Sequence, residues 1–356
     1  GNSIASGGNY NTVVGDEAGT AITTGDDNTF IGYNAGKTLA AGIQNTFVGS
    51  GAGDATDDGA YNTGVGHLAL SANCGDQNTA MGYAALTGAT GQHNTAVGSG
   101  AGFSLTADNG VFMGHHAGLY ATTAGGTVLI GHSAGKGISG APLTGDFNVA
   151  IGFQAGYLLQ GAAGGNVLVG NEAGLDVTTG GRNVALGRLA GRNLTTSLDN
   201  VCLGYHAGSY NVGLTTGNYN TILGAYCHTT EASSTQQIVI GHNVTGNANN
   251  SMCFGNAGTD SAIAFGATSI SAPSDERYKE DIADATAGLS FIKDLRPVTF
   301  KWKKRKDLPT NHSAYLEGSE ERAMLSNGET NHGFIAQEVK AVIDNHSEIK
   351  EGFGMW

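Results

Sequence analysis

The feature that most constrains this chain is a short unit, N-T-x-apolar-G-x-x-A-G, that recurs along most of its length. Clear copies are NTVVGDEAG from Asn11, NTFIGYNAG from Asn28, NTFVGSGAG from Asn45, NTAVGSGAG from Asn94, NVAIGFQAG from Asn148, NVLVGNEAG from Asn166, NVALGRLAG from Asn183 and NVCLGYHAG from Asn200. The glycine after the apolar run, here called the framing glycine, falls at positions 15, 32, 49, 66, 82, 98, 114, 131, 152, 170, 187, 204, 224, 241, 255 and 266. A unit this short cannot bury its own apolar face, so neighbouring copies must stack on one another.

Each part of the unit predicts a local structure. The apolar run has the length of a three- or four-residue β-strand. The framing glycine permits a positive φ or a close approach of two backbones. The recurrent asparagine predicts an internal ladder of amides that bond to the coils above and below. The alternative is that each asparagine only caps its own turn.

Most framing glycines are 16–18 residues apart, some are 20 or 21 apart, and the last two steps are 14 and 11 residues. A 17-residue coil predicts one strong strand and one weak one, such as T-A-I-T-T at 20–24. We expect one such column to leave much of its small apolar face open, and three chains packed around an axis to cover it. The predicted fold class is mainly β. It is a trimeric β-solenoid or β-roll of 16–18-residue repeats, followed by a small, mostly helical α+β domain.

Composition divides the chain near position 274. Residues 1–273 hold 53 of the 59 glycines, with 15 acidic and 5 basic residues, whereas residues 274–356 hold 15 acidic and 12 basic residues and both tryptophans. This change predicts a repeat shaft at 1–267, a linker at 268–273 and a C-terminal domain at 274–356.

The same composition excludes several function classes. A net charge of −13 argues against a nucleic-acid partner, whose phosphates need a basic surface. The sequence contains no run of 18 or more apolar residues, so we expect no membrane insertion. The cysteines lie far apart and predict free, mostly half-buried thiols rather than a zinc or redox site; they are Cys74, Cys202, Cys227 and Cys253. We therefore expect no cofactor and no metal.

The C-terminal domain carries three ordered motifs, SDERYKEDI, LSFIKDLRPVTFKWK and HGFIAQEVKAVI. Their order resembles the intramolecular chaperone domain of phage tailspikes and fibres, the peptidase S74 family typified by endosialidases. That resemblance implies a helical trimeric module that assembles the preceding β-fold and then cuts itself off. It also implies a further long helix, so we expect this sequence to be truncated after Trp356. The shaft repeats are similar to those of trimeric adhesin heads and many phage fibres, which are homotrimeric β-rolls or β-prisms.

The resemblance assigns roles to a few residues. Ser274 matches the nucleophile and Lys279 its basic partner, with the scissile bond between Pro273 and Ser274. A lysine can accept the serine proton if burial lowers the pKa of its amine. A spacing of five residues does not place both side chains on one helix face, so they meet across a turn or Lys279 comes from a neighbouring chain. Asp275 either orients the pair or caps a helix. The alternative for the whole segment from Ser274 to Lys279 is a solvated run of charges without catalytic function.

The remaining pattern of this domain predicts ordinary scaffold. We expect a helix through Leu289, Ile292 and Leu295, then a strand through Val298, Phe300 and Trp302. A second helix face is predicted from Phe334, Ile335, Val339, Val342 and Ile343. The basic run KWKKRK is interpreted as a solvated strand end and loop.

Candidate sites on the shaft are weaker. Histidine follows the framing glycine at four positions, His67, His115, His132 and His242. In a trimer they can gather around one axis as a metal or anion site, and the alternative is a variable surface position. Acid pairs at Asp26–Asp27 and Asp57–Asp58 lie in loops, whereas glycoside hydrolysis needs two carboxylates that face each other. The longer loops, 136–147 and 209–219, are where a receptor site is most easily built.

The sequence thus predicts a structural and host-recognition component of a phage tail fibre. It would be made in the host cytoplasm and carried in the virion as a homotrimer. Its partners would be other tail or baseplate proteins and a host-surface glycan or protein receptor. Its chemistry would be at most one self-cleavage. The alternatives are a polysaccharide depolymerase tailspike and a bacterial trimeric adhesin or extracellular filament subunit.

Overall fold

The computed structural model describes residues 7–257, 260–265, 289–301, 303–310, 315–320 and 331–346. The chain divides into two compact units, Gly1–Pro273 and Ser274–Trp356. The predicted linker at 268–273 lies outside the described residues. The described strands of the first unit are β1 Thr12–Val14, β2 Thr29–Ile31, β3 Thr46–Val48, β4 Thr63–Val65, β5 Thr79–Met81, β6 Thr95–Val97, β7 Val111–Met113, β8 Val128–Ile130, β9 Val149–Ile151, β10 Val167–Val169, β11 Val184–Leu186, β12 Val201–Leu203, β13 Thr221–Leu223, β14 Gln237–His242, β15 Ser251–Asn256 and β16 Ser261–Ala264.

The strands β1 to β15 pair in parallel, each with the next along the chain. Equivalent repeat positions are in register, as in Thr12 beside Thr29 and Thr29 beside Thr46. The predicted β-solenoid is confirmed, with about 14 turns. The last repeat departs from this pattern, because β16 returns antiparallel to β15 with Cys253 beside Ala262. Its step of 11 residues is too short for a full coil; the last framing glycine, Gly266, lies outside the described residues.

A single column of coils closes its own core, while outward strand side chains such as Val14 and Met81 form the open apolar face that the repeat predicts. Each coil turns the middle strand residue, the alanine of the A-G pair and one further side chain inward. In the second coil these are Phe30, Ala35 and Leu39, all fully buried. Since the predicted weak strand at 20–24 forms turns, the chain bends around this thin core instead of running straight past it.

The predicted asparagine ladder is present inside the shaft. The Asn28 Oδ1 accepts two hydrogen bonds from Asn45, one from its backbone N–H at 2.9 Å and one from its side-chain Nδ2 at 3.1 Å. The same Asn45 Nδ2 also donates to the Gly59 carbonyl at 2.8 Å. Each amide thus satisfies backbone groups of the next coil, where water has no access. The ladder is interrupted where the chain carries Gly110 and Thr127 in place of asparagine.

The four cysteines are free and all buried, which corrects the prediction of half-burial. Burial raises the pKa of each thiol, and raises that of Cys202 to about 12. Because the thiolate is the reactive form, we expect dithionitrobenzoate at pH 8 to leave all four thiols unmodified in the native protein and to modify four in guanidinium chloride. Rapid labelling of the native chain would contradict this burial.

The described part of the second unit contains two helices and a two-stranded sheet. The elements are α1 Leu289–Asp294, β17 Val298–Phe300, β18 Asn331–Gly333 and α2 Ala336–Asn345, with a 3-10 turn at Arg305–Asp307. The two strands pair antiparallel. The buried side chains of Phe291, Val339 and Ile343 form the core, with Leu295 and Val342 packed against it.

The predicted elements of this unit are found with shifted boundaries. The helix through Leu289 ends at Asp294, one residue before Leu295. The second helix begins at Ala336, so Phe334 and Ile335 precede it and are exposed rather than part of its apolar face. The reason is that Ile335 has an extended backbone at the N-cap position. The strand residue Trp302 lies outside the described residues.

Candidate functional site

The residues assigned to self-cleavage, Pro273, Ser274, Asp275 and Lys279, lie outside the described residues. Their roles therefore remain predictions from sequence. What the structure describes of this unit is the framework around α1 and α2. Several of its charged groups pair with one another.

Ion pairs join distant segments of the second unit. The Arg296 guanidinium forms a two-bond pair with Glu338, which connects the segment after α1 to α2 and lowers the pKa of that carboxyl. The basic run contributes Lys304 and Lys306, which both contact Glu320. These pairs are solvent-exposed, so each stabilises the unit only slightly. This agrees with the interpretation of the run as a solvated surface.

The outer face of the solenoid sheet is a long wall without charge. Strand residues alternate in direction, so the first and third residues of each three-residue strand point away from the core. In β1 to β13 these positions hold only Thr, Val, Ile, Leu and Met. Third-position side chains remain accessible, with Val14 at 58% and Met81 at 49% exposure. At about 4.8 Å per strand the wall is roughly 60 Å long.

Three of the four histidines after the framing glycines stack on rings of neighbouring coils, and the fourth, His242, meets Tyr226 edge to face. His67 stacks on Tyr83 with ring centroids 5.5 Å apart. His115 stacks on His132 at 5.2 Å, and His132 stacks on Phe153 at 5.3 Å. The parallel coils bring the same corner position together once per turn, so these rings pack along the shaft within one chain.

A larger group of rings lies near the C-terminal end of the shaft. This Tyr226 cluster consists of Tyr205, His206, Tyr210, Tyr226, His228 and His242. The ring of Tyr226 lies 4.8 Å from Tyr210, 5.2 Å from Tyr205 and 6.0 Å from His206, measured between centroids. Burial lowers the pKa of the His206 imidazole, and the positive charge of Arg188 lowers it further. The neutral form of the imidazole is therefore favoured at pH 7.

One of the two predicted receptor loops contributes to this cluster. The loop 209–219 begins with Ser209, whose hydroxyl donates to the Leu189 carbonyl at 2.6 Å. This bond folds the inserted segment back along the preceding coil and brings Tyr210 against Tyr226. The other loop, 136–147, places Lys136 Nζ 3.3 Å from the Tyr157 hydroxyl.

The acid pairs proposed for glycosidase chemistry serve or flank turns between coils. Asp26 Oδ1 accepts the backbone N–H of Asn9 at 2.6 Å, while Asp27, Asp57 and Asp58 are exposed. Loop carboxylates elsewhere act in the same way, as when Asp146 Oδ1 accepts the Gly125 N–H at 2.8 Å. These contacts assign Asp26 and Asp146 a structural role in joining successive coils.

Sequence reasoning missed the Tyr226 cluster because it considered the corner histidines alone. The available signal was a mixture of histidine and aromatic residues at two adjacent repeat positions. The position after the framing glycine holds Tyr33, His67, Tyr83, His115, His132, Phe153, Tyr205 and His242, and the next position holds His116, His206 and Tyr226. Register pairing of the coils then brings neighbouring members into contact.

Comparison with known proteins gives one match. Residues 274–348 match the model of the peptidase S74 family, described as the chaperone of endosialidase. Searches of curated proteins and of solved structures found no match. Neither described helix is long and apolar enough to cross a membrane. Within the described ranges, no group of three or more His, Cys, Asp or Glu side chains is placed to hold a metal ion.

Proposed function

We propose that this chain, whose residues 274–348 form a chaperone-of-endosialidase domain, is a homotrimeric fibre protein of the phage tail-fibre or tailspike type. In this proposal the C-terminal domain drives trimer assembly of the solenoid shaft, and the shaft carries surfaces for host recognition. The observation that carries it is the match of this chaperone family immediately after a long β-solenoid.

The uncharged outer wall supports assembly of copies side by side. A flat face of Thr, Val, Ile, Leu and Met over thirteen strands is poorly suited to remain in water, since large contiguous apolar patches are rare on monomers. The shaft has five basic and fifteen acidic residues, yet none lies on the outward positions of β1 to β13. A symmetric trimer buries the wall of each of its three chains without bringing like charges together.

Self-cleavage follows from the chemistry of the predicted dyad. The neutral amine of Lys279 accepts the Ser274 Oγ proton, and Oγ attacks the Pro273 carbonyl carbon. The C–N bond between Pro273 and Ser274 breaks, its nitrogen takes a proton, and the acyl group becomes an ester on Oγ. Water then hydrolyses the ester, which leaves a Pro273 carboxylate and restores the hydroxyl. Asp275 would orient the pair.

A denaturing gel tests this step. We expect the wild-type chain, expressed with its full C-terminus, to give two fragments cut between Pro273 and Ser274, whereas Ser274→Ala and Lys279→Gln each remain a single band. Ser271→Ala, a change three residues upstream of the nucleophile, serves as the matched control and should be cleaved like the wild type. Cleavage of Ser274→Ala at the same bond, or an uncut wild type, would overturn the dyad.

Host recognition is the second part of the proposal, with tail or baseplate proteins and a surface receptor as partners. It is supported by the exposed aromatic corners and the inserted loop 209–219. The depolymerase alternative lacks comparable support, because the acid pairs it would use lie at turns between coils. A bacterial adhesin or filament subunit remains the alternative for the same architecture.

A further inference from the structure

We propose that Arg188 and the Tyr226 cluster form a binding site for a glycan that carries a carboxylate. This inference deepens the host-recognition part of the proposed function and rests on it. Its basis is the arrangement of a cation, several rings and an inserted loop at one corner of the shaft.

The first observation concerns the charge of Arg188. Three of the five basic residues of the shaft are paired with carboxylates: Lys37 with Glu17, Arg182 with Asp199 and Arg192 with Glu172. Within the described residues Arg188 has no carboxylate partner. Its guanidinium instead lies 5.6 Å from the centroid of the Tyr205 ring, and the side chain is exposed. A guanidinium that lies over a ring keeps its N–H donors free, and the paired geometry of these donors matches the two oxygens of a carboxylate.

The second observation is the row of rings beside this cation. Tyr205, Tyr226 and His242 come from three successive coils, and the ring of Tyr226 meets the other two edge to face, with centroids 5.2 Å and 5.9 Å away. Tyrosine and histidine present an apolar face together with polar atoms at the edge. A sugar ring has the matching distribution, with C–H groups on its faces and hydroxyls around its rim.

The third observation distinguishes a glycan from a peptide strand. The backbone at this corner is already bonded between coils: His206 N–H donates to Arg188 O at 3.1 Å, and Tyr226 N–H donates to Tyr205 O at 2.9 Å. A peptide therefore cannot add to the sheet here through main-chain bonds. The ligand must be held by side chains, which suits stacked sugar rings.

The site is also a local departure from the repeat. The step from Gly204 to Gly224 is 20 residues rather than 17, and the extra residues bring Tyr210 onto Tyr226. Other coils carry small residues at the corner position, such as Ser50 and Ser99. The insertion therefore builds a wider aromatic surface than coil stacking itself requires.

A glycan array tests the proposal with the full chain, using immobilised oligosaccharides of glucuronate and the same oligosaccharides with the carboxyl groups reduced to alcohols. We expect the wild type to retain the glucuronate forms and to bind the reduced forms at least about tenfold more weakly. Arg188→Gln should show the same loss, and Tyr226→Leu should weaken both forms. Arg182→Gln is the matched control, an exposed arginine on the same coil that is already paired, and it should bind like the wild type.

Three results would overturn the site. One is equal retention by Arg188→Gln and Arg182→Gln, and another is no preference of the wild type for glucuronate forms. The third is competition by oligoglutamate as effective as by free glucuronate oligosaccharide, which would indicate a peptide ligand. The mass of the same wild-type sample, measured by light scattering, separates failure of this glycan site from failure of the proposed fibre. A trimer that fails on the array overturns only this site, whereas a monomer overturns the proposed fibre.

Discussion

Gly98→Ala is expected to lower the free energy of unfolding of the shaft by at least about 3 kcal/mol. Gly98 has φ +134°, a backbone conformation that side chains with a Cβ rarely adopt. An added Cβ would lie 2.6 Å from the Gly114 carbonyl oxygen of the next coil. Neither atom can move aside, because both belong to backbone held in the parallel ladder. Relief therefore requires two coils to separate.

The matched control for this prediction is Gly140→Ala. Gly140 is exposed, and a Cβ added there has no atom within 4 Å. We expect its unfolding free energy to stay the same or rise by up to about 1 kcal/mol. Denaturant titration followed by circular dichroism measures both variants. Equal stability of the two would show that the framing glycines are not required by coil spacing.

Asn183→Ala is expected to destabilise the shaft by about 4 kcal/mol. The side chain is fully buried. Its Oδ1 accepts the Asn200 backbone N–H at 3.1 Å, and its Nδ2 donates to the Ser197 carbonyl at 2.8 Å. Alanine leaves that N–H and that carbonyl without the partner Asn183 provides, in an interior with no room for bulk water. The cost is the desolvation of two backbone groups together with a small cavity.

Asn171→Ala provides the control within a neighbouring coil. The Asn171 side chain is only half-buried, and it makes no side-chain hydrogen bond within the described residues. Its replacement should change the unfolding free energy by no more than about 0.5 kcal/mol. The same denaturant titration compares the pair. Similar losses for both variants would contradict a ladder role for Asn183.

The solenoid is predictable from the sequence because the same repeat specifies the strand, the asparagine ladder and the corner of every coil. The register of Asn, Thr and framing Gly positions determines where each coil meets the next, so the spacing alone locates strand, ladder and corner. The inward side chains of the turns are less predictable, because residues such as Ala35 and Leu39 lie outside the strand, where a period of two gives no information on direction. Burial of those side chains depends on the path of the turns.

The functional surfaces were less predictable for a physical reason. Contact between Tyr210 and Tyr226 depends on how the insertion after Ser209 folds back, and this follows from a hydrogen bond to a carbonyl of another coil. Likewise, the free charge of Arg188 is recognised only once Arg182 and Arg192 are seen to have partners. The Ser274 and Lys279 assignments came from motif order alone and remain predictions.

The mass of the Ser274→Ala chain in solution tests the central claim most directly, since under the proposed self-cleavage this variant keeps residues 1–273 and 274–356 together. Sedimentation equilibrium at low protein concentration should give three times the 36.0 kDa of one chain, with no dissociation on dilution. A folded species of 36.0 kDa would contradict the proposed trimer and leave the uncharged wall without its partner.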